Sequence, residues 1–272
     1  MTPAARAYAS RASVRIVLCA IVAAYLGFAT LWAIRVPPFA PPDEMAHADY
    51  MYAFFDAGRF YRVDSRRSAN DVLPQTQYLE RISGYRRLHY NLLGRVPAGY
   101  GTRAFFAAAR RGAPPVSNAV RAQGSVMPYV MSVYPSTYYV LVAAIARATF
   151  DATRSVVASF FAARACNVAL GAATLVFAFA TFRRRGLGAV TSLLCVASIA
   201  MLPLFCWVSA YVQPDNLVIF LVTFALWAAA GKRRVARYAA LAVCGILLVK
   251  PLYGAVVWLP VAAYAIAIAR DR

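Results

Sequence analysis

Asp43, Glu44 and His47 fall within one short stretch of the chain, and two carboxylates beside an imidazole offer two kinds of chemistry. The run Pro41-Pro42-Asp43-Glu44 reads as the start of a short helix that reaches Ala57 and stops at Gly58, with proline at entry, acids in the first turn and glycine at exit. At helical spacing Asp43 and His47 share a side, with Glu44 adjacent to both. Asp43 or Glu44 can then act as a general base toward an acceptor hydroxyl, and Asp43 with His47 can hold a divalent cation such as Mg or Mn. The alternative is purely local: Asp43 caps backbone N–H groups and His47 faces solvent.

Three further positions carry charge where charge is unusual. Asp215, in Gln213-Pro214-Asp215-Asn216, sits between two apolar runs, as a helix cap or as a functional acid at a membrane edge. Lys250, followed by Pro251 and Tyr253, interrupts a run that is otherwise uncharged. Its ammonium must snorkel or meet an anion, either a phosphate or one of the acids above. Arg164, with Asn167, opens another apolar run and could contact the same anion or snorkel.

These residues are positioned by a chain that is 62% hydrophobic and only 14% charged, with a mean hydropathy of +0.57. That is too apolar for a soluble domain and implies an all-α integral membrane protein. Spans are expected at 16–34, 156–182, 189–208 and 217–230, and as two short helices in 238–269, where Pro251 breaks an overlong run. That makes about six crossings. A net charge of +19 and a pI near 10.3 would suit nucleic acid in a soluble protein. Here the basic residues cluster between apolar runs, so anionic membrane lipids are the expected partners and nucleic acid is not. The five cysteines all lie inside apolar stretches and form neither a disulfide framework nor a zinc pattern.

Orientation follows from the basic loops. Arg6, Arg11 and Arg15 precede the first apolar run, which has no small-residue cleavage site before Arg35 and reads as an uncleaved signal anchor. Arg183-Arg184-Arg185 and Lys232-Arg233-Arg234 should lie with them on the cytoplasmic side. The chain must then cross an even number of times before Arg183, so one of three apolar segments does not span. The shortest, 138–148, flanked by Tyr134, Tyr138 and Tyr139, is assigned to the outer interface. The expected organisation is a cytoplasmic N-terminus (1–15), a first transmembrane helix (16–34), a large outer loop with juxtamembrane helices (35–155), and a bundle of about five further spans (156–272). Between Arg59 and Arg121 the loop carries twelve arginines against Asp64, Asp71 and Glu80. Its prolines and glycines imply short helices joined by irregular segments.

The ordered set Pro41-Pro42-Asp43-Glu44-x-x-His47, Tyr134-Pro135-Ser136-Thr137-Tyr138-Tyr139, Arg164, Pro214-Asp215 and Lys250-Pro251 resembles the GT-C superfamily of membrane glycosyltransferases. The likeness is greatest to bacterial multi-pass proteins related to protein mannosyltransferases and aminoarabinose transferases. It implies a transferase of the bacterial cytoplasmic membrane that acts at the outer face and uses a polyprenyl-phosphate-linked sugar donor. On that basis Asp43 or Glu44 is the base or metal contact, and Asp215, Lys250, Arg164 and Tyr138 contact the donor and its phosphate. Tyr134-Pro135-Ser136 stands where relatives often carry His-Pro-Pro, so that histidine's role has no counterpart. Relatives usually have more spans, so the resemblance implies a fragment or a degenerate copy. Two other functions fit the same residues: a transporter or flippase component for anionic lipids, and a non-catalytic membrane partner.

Overall fold

Pro37, Pro38, Pro41 and Pro203 punctuate the apolar runs and decide where helices stop, because proline lacks a backbone N–H and disfavours helix in the residue before it. The computed structural model describes residues 3–41, 43–57, 73–83, 102–111, 135, 137–230 and 245–250. Every regular element among them is an α-helix: α1 (Pro3–Arg35), α2 (Glu44–Ala57), α3 (Pro74–Ser83), α4 (Thr102–Arg111), α5 (Thr137–Thr153), α6 (Val156–Arg184), α7 (Ala189–Ala200), α8 (Pro203–Ser209) and α9 (Asp215–Ala229).

Two of these are long and apolar enough to cross a membrane, the 24-residue segment Ala12–Arg35 of α1 and the 29-residue α6. At about 1.5 Å per residue the first spans about 36 Å, beyond the ~30 Å hydrocarbon core. Ile16, Phe28, Leu31 and Trp32 on α1 are exposed, as a lipid-facing surface requires. The run expected to cross at 189–208 does not form one helix. It breaks after Ala200, and α7 and α8 meet at a bend of 63°. Leu202, just before Pro203, is extended (φ −66°, ψ 117°), the conformation a following proline favours. Counting the bent pair as one span gives three candidates. The 15-residue α9 is shorter than a full crossing, and most of the expected pair of spans in 238–269 lies outside the described residues.

The chain divides into two compact units, with α1 and α6 each contributing to both. The Glu44 unit comprises Leu31–Cys166 and Tyr211–Gln213. In it α2 starts one residue later than Asp43 and reaches the expected Ala57. It packs on α5, which covers the segment expected at the interface. Tyr139 of α5 lies edge-on to Tyr50 of α2 at 4.5 Å. The start of α6 is capped by Ser155, whose Oγ accepts from Ala158 N (3.2 Å). Phe105 and Phe106 of α4 pack on Phe161 in its first turns.

The Lys250 unit comprises Met1–Thr30, Asn167–Ala210 and Pro214–Arg272. Here α6 and α9 run side by side in the same direction. Asn167 bonds Asn216, Phe177 packs on Phe220, Phe224 and Trp227, and Arg184 stacks 3.9 Å above the Trp227 ring. The end of α6 is closed by left-handed Gly186 (φ 84°), with Gly186 N to Arg183 O (3.2 Å) and Leu187 N to Phe182 O (3.1 Å). This pairing satisfies the terminal carbonyls just where the arginine cluster ends the helix.

A close approach fixes Gly171. A Cβ there would sit 1.8 Å from Oη of the fully buried Tyr25 and 2.9 Å from Ser209 Oγ. Tyr25 is held by Val168 O (3.3 Å) and by the Phe205 ring, so it has little room to swing away. Gly171→Ala is therefore expected to lower stability by about 1–3 kcal/mol, read as a drop in the thermal midpoint in detergent. Adding Tyr25→Phe should recover part of the loss and no more, because Tyr25 Cζ would still lie 2.8 Å from the new methyl.

Candidate functional site

The end of α1 leaves carbonyl groups without helical partners, and the prolines that follow supply no N–H to meet them. Arg164, reaching from the first turns of α6, fills that need. Its Nη1 donates to Ala33 O and Val36 O (both 2.6 Å), and its Nη2 donates to Pro37 O (3.2 Å). The guanidinium also forks onto Glu44, with Nε to Oε1 at 2.8 Å and Nη2 to Oε2 at 2.6 Å. All five N–H groups are thereby used. The carboxylate is equally occupied, since Oε1 also accepts from Val212 N and Oε2 from Phe39 N, each at 3.0 Å. Both side chains are completely buried. Phe160 and Phe161 lie beneath the guanidinium at 4.8 and 5.6 Å, within reach of a cation–π attraction.

The turn between α1 and α2 carries two left-handed residues, Phe39 (φ 70°) and Asp43 (φ 60°). For a bulky side chain such as Phe39 this is an uncommon and costly conformation, whereas aspartate tolerates it better. Phe39 is held there by its N–H bond to Glu44 and by the edge of Phe160 at 5.7 Å. Asp43 follows with an exposed carboxylate that meets no hydrogen-bond or ion-pair partner among the described residues. Its carbonyl accepts the His47 N–H at 3.0 Å, which ties the residue to the first turn of α2.

The expected grouping of Asp43, Glu44 and His47 therefore separates into three roles. Asp43 is exposed, Glu44 is enclosed with Arg164, and His47 is buried with Nδ1 2.7 Å from Tyr139 Oη and its ring stacked on that tyrosine. The two residues Asp43 and His47 meet through the backbone and not through their side chains, and no set of three or more His, Cys, Asp or Glu side chains gathers into a metal site among the described residues. Arg164, read from sequence as a phosphate contact, has every N–H directed at protein oxygens. Tyr138 is fully buried, with its ring edge-on to Tyr139.

In the Lys250 unit, Lys250 follows a tight turn in which its N–H reaches Ile246 O (2.9 Å). Its buried ammonium forms an ion pair with Asp215, which opens α9 and is about one-third exposed. Of the two anions open to Lys250 in the sequence, the structure supplies the internal one. Asn216 donates to Asn167 Oδ1 (3.0 Å) and Val208 O (3.1 Å). Tyr253 lies outside the described residues.

Sequence reasoning did not find the Glu44–Arg164 pairing or the His47–Tyr139 contact. The signal for the first was present: an arginine and a glutamate near the ends of apolar runs are each too costly to bury alone, and pairing is the usual remedy. No protein-family model, curated protein or solved structure matches the chain.

Removing one member of a fully buried ion pair strands the other, at a cost of about 3–5 kcal/mol. Lysine has three donors and no planar fork, so it cannot reproduce five directed bonds. Arg164→Lys is therefore expected to lower the thermal midpoint in detergent almost as far as Arg164→Met, despite keeping the charge. A lysine variant as stable as the parent would contradict this bonding.

Proposed function

We propose that this chain is a multi-pass membrane glycosyltransferase in which Asp43 removes the proton from an acceptor hydroxyl at the outer face of a bacterial cytoplasmic membrane. The observation that carries the reading is the Asp43 carboxylate itself, exposed and held in a left-handed turn by neighbours that are fully engaged. Strained, over-determined backbone of this kind clusters at functional sites. Further support comes from the order of motifs and from α6 and α9, whose shared direction suits two helices that both begin at the outer side. The full architecture on this reading has about six spans, those in 238–269 completing the bundle.

In the reaction the acceptor oxygen forms its bond to the anomeric carbon as its proton passes to Asp43. The bond from that carbon to the phosphate oxygen breaks on the opposite face, so the configuration inverts and polyprenyl phosphate departs. A positioned general base contributes about 10²–10⁴-fold to such a step. Glu44 is the residue that sets the turn, and the base role falls to Asp43 alone.

A second reading is favoured by the Lys250–Asp215 pair. A buried ammonium held by a part-exposed carboxylate is a place where an anionic lipid phosphate can replace the internal acid. A lipid-binding or transport component would need this pair and not Asp43.

Asp43→Asn separates the two. Asparagine also tolerates the left-handed conformation, so the variant should fold with an unchanged thermal midpoint. On the transferase reading, release of polyprenyl phosphate from a panel of lipid-linked sugars falls by about 10²-fold or more in the variant, with donor binding retained. Release that is equal in both proteins removes Asp43 from the base role, and release absent from both, with Lys250→Met abolishing lipid binding, favours the second reading.

A further inference from the structure

The last turn of α6 carries Arg183 and Arg184, Arg185 follows directly, and all three are exposed. No aspartate or glutamate occurs in the sequence between Asp151 and Asp215, so no neighbouring acid in the chain offsets them. The bias of basic residues toward one membrane face accounts for such a cluster, but it asks only for charge, and a freely moving side chain would satisfy it. Two of these arginines are not left to move. Arg183 Nη1 donates to Leu187 O (2.5 Å), and Arg184 Nη1 donates to Trp227 O (2.9 Å) while its guanidinium lies 3.9 Å from the centre of the Trp227 ring.

The pairing of α6 with α9 fixes their level. Asn167 meets Asn216 at one end of the pair, Phe177 meets Phe220 and Phe224 midway, and Arg184 meets Trp227 at the other end. From Asn167 to Arg184 the helix rises about 25 Å. That is close to the ~30 Å of a hydrocarbon core, so on a crossing helix the arginines stand where acyl chains give way to headgroups. Tryptophan is enriched at the same depth. Capping α9 is the purely structural use of Arg184, since Trp227 O is among the last carbonyls of that helix. It occupies one nitrogen. Arg183 and Arg184 each keep most of their five N–H groups without a protein partner among the described residues. The terminal carbonyls of α6 make no claim on them, because Gly186 N and Leu187 N already meet Arg183 O and Phe182 O.

We infer that Arg184, stacked on Trp227, and Arg183 beside it bind the phosphate of an anionic phospholipid at the membrane face where α6 ends. An arginine fork matches a phosphate through two parallel hydrogen bonds, and a side chain already held in place loses less freedom when the ligand arrives. Basic sites between the ends of spanning helices suit anionic headgroups for these reasons. Val190 and Leu194, one turn apart on α7 and both exposed, follow within a few residues of the cluster and give acyl chains an apolar surface. The inference makes no use of Asp43 and stands apart from the transferase reading.

The test uses the whole chain in a neutral detergent, with phosphatidylglycerol and phosphatidylcholine of matched acyl chains as probes and native mass spectrometry as the readout. The parent should hold phosphatidylglycerol about tenfold more tightly than phosphatidylcholine, or better. Arg184→Gln should lose about tenfold in phosphatidylglycerol affinity, the worth of one hydrogen bond to a charged group, and Arg184→Lys should recover only part of it. Arg183→Gln leaves the contact with Trp227 untouched and should lower affinity in the same direction, so the result does not hinge on one variant. Arg110→Gln removes the same charge from an exposed position on α4 and should leave the affinity unchanged. Because Arg184 is exposed, the lipid-free thermal midpoint of Arg184→Gln should stay within a few degrees of the parent's. Equal retention of the two lipids by the parent, an Arg184→Gln that behaves like Arg110→Gln, or displacement of phosphatidylglycerol by an equal concentration of inorganic phosphate overturns the inference.

Discussion

Arg164 is completely buried with five N–H groups to satisfy, and the segment that meets it has carbonyls to spare because it consists of a helix end followed by prolines. The two deficits cancel. Glu44 then balances the charge and spends its remaining lone pairs on the Val212 and Phe39 N–H groups. Desolvating an isolated carboxylate or guanidinium costs several kcal/mol, so such a pair exists only where nearly every donor and acceptor is met. That condition holds here, and it joins α1, the turn at 36–43, α2, α6 and the strip at Tyr211–Gln213 into one arrangement. Any of these elements could be built from other residues, but they could not then share one buried charge pair.

The backbone of the turn follows from this constraint. Two left-handed residues, each costing of the order of 1–3 kcal/mol, persist only where the surroundings over-determine them. Phe39 is fixed by a bond to Glu44 and by its ring against Phe160. Asp43, immediately before Glu44, is fixed by chain continuity and by the first helical bond of α2. Its exposed carboxylate is thus carried on a segment with little freedom, and a fixed position is what general-base catalysis demands. In the other unit the same economy of charge takes a milder form. Lys250 and Asp215 pair near a polar contact between asparagines, and the acid remains partly open.

Much of this was legible in residue types. The helix from the acidic pair to Ala57 could be read from its punctuation. The break in the run at 189–208 was written in Pro203, but an unbroken apolar composition masked it. What could not be read was partnership. Glu44 and Arg164 are 120 residues apart, and helical spacing near Glu44 pointed to Asp43 and His47 instead. Local periodicity orders neighbours along one helix, whereas burial decides which of them face inward. It turned His47 toward Tyr139 and Glu44 toward Arg164, and left Asp43 outside.

The central claim is that Glu44 and Arg164 act as one unit. A double-mutant cycle with Glu44→Gln, Arg164→Met and the combined variant, followed by reversible unfolding in mixed micelles, measures this directly. If the pair is the constraint described, each single change is severe and the double change costs little more than either one, giving a coupling of about 2–3 kcal/mol. Losses that simply add, with a coupling near zero, would mean that the two side chains contribute independently and that the turn carrying Asp43 is held by something else.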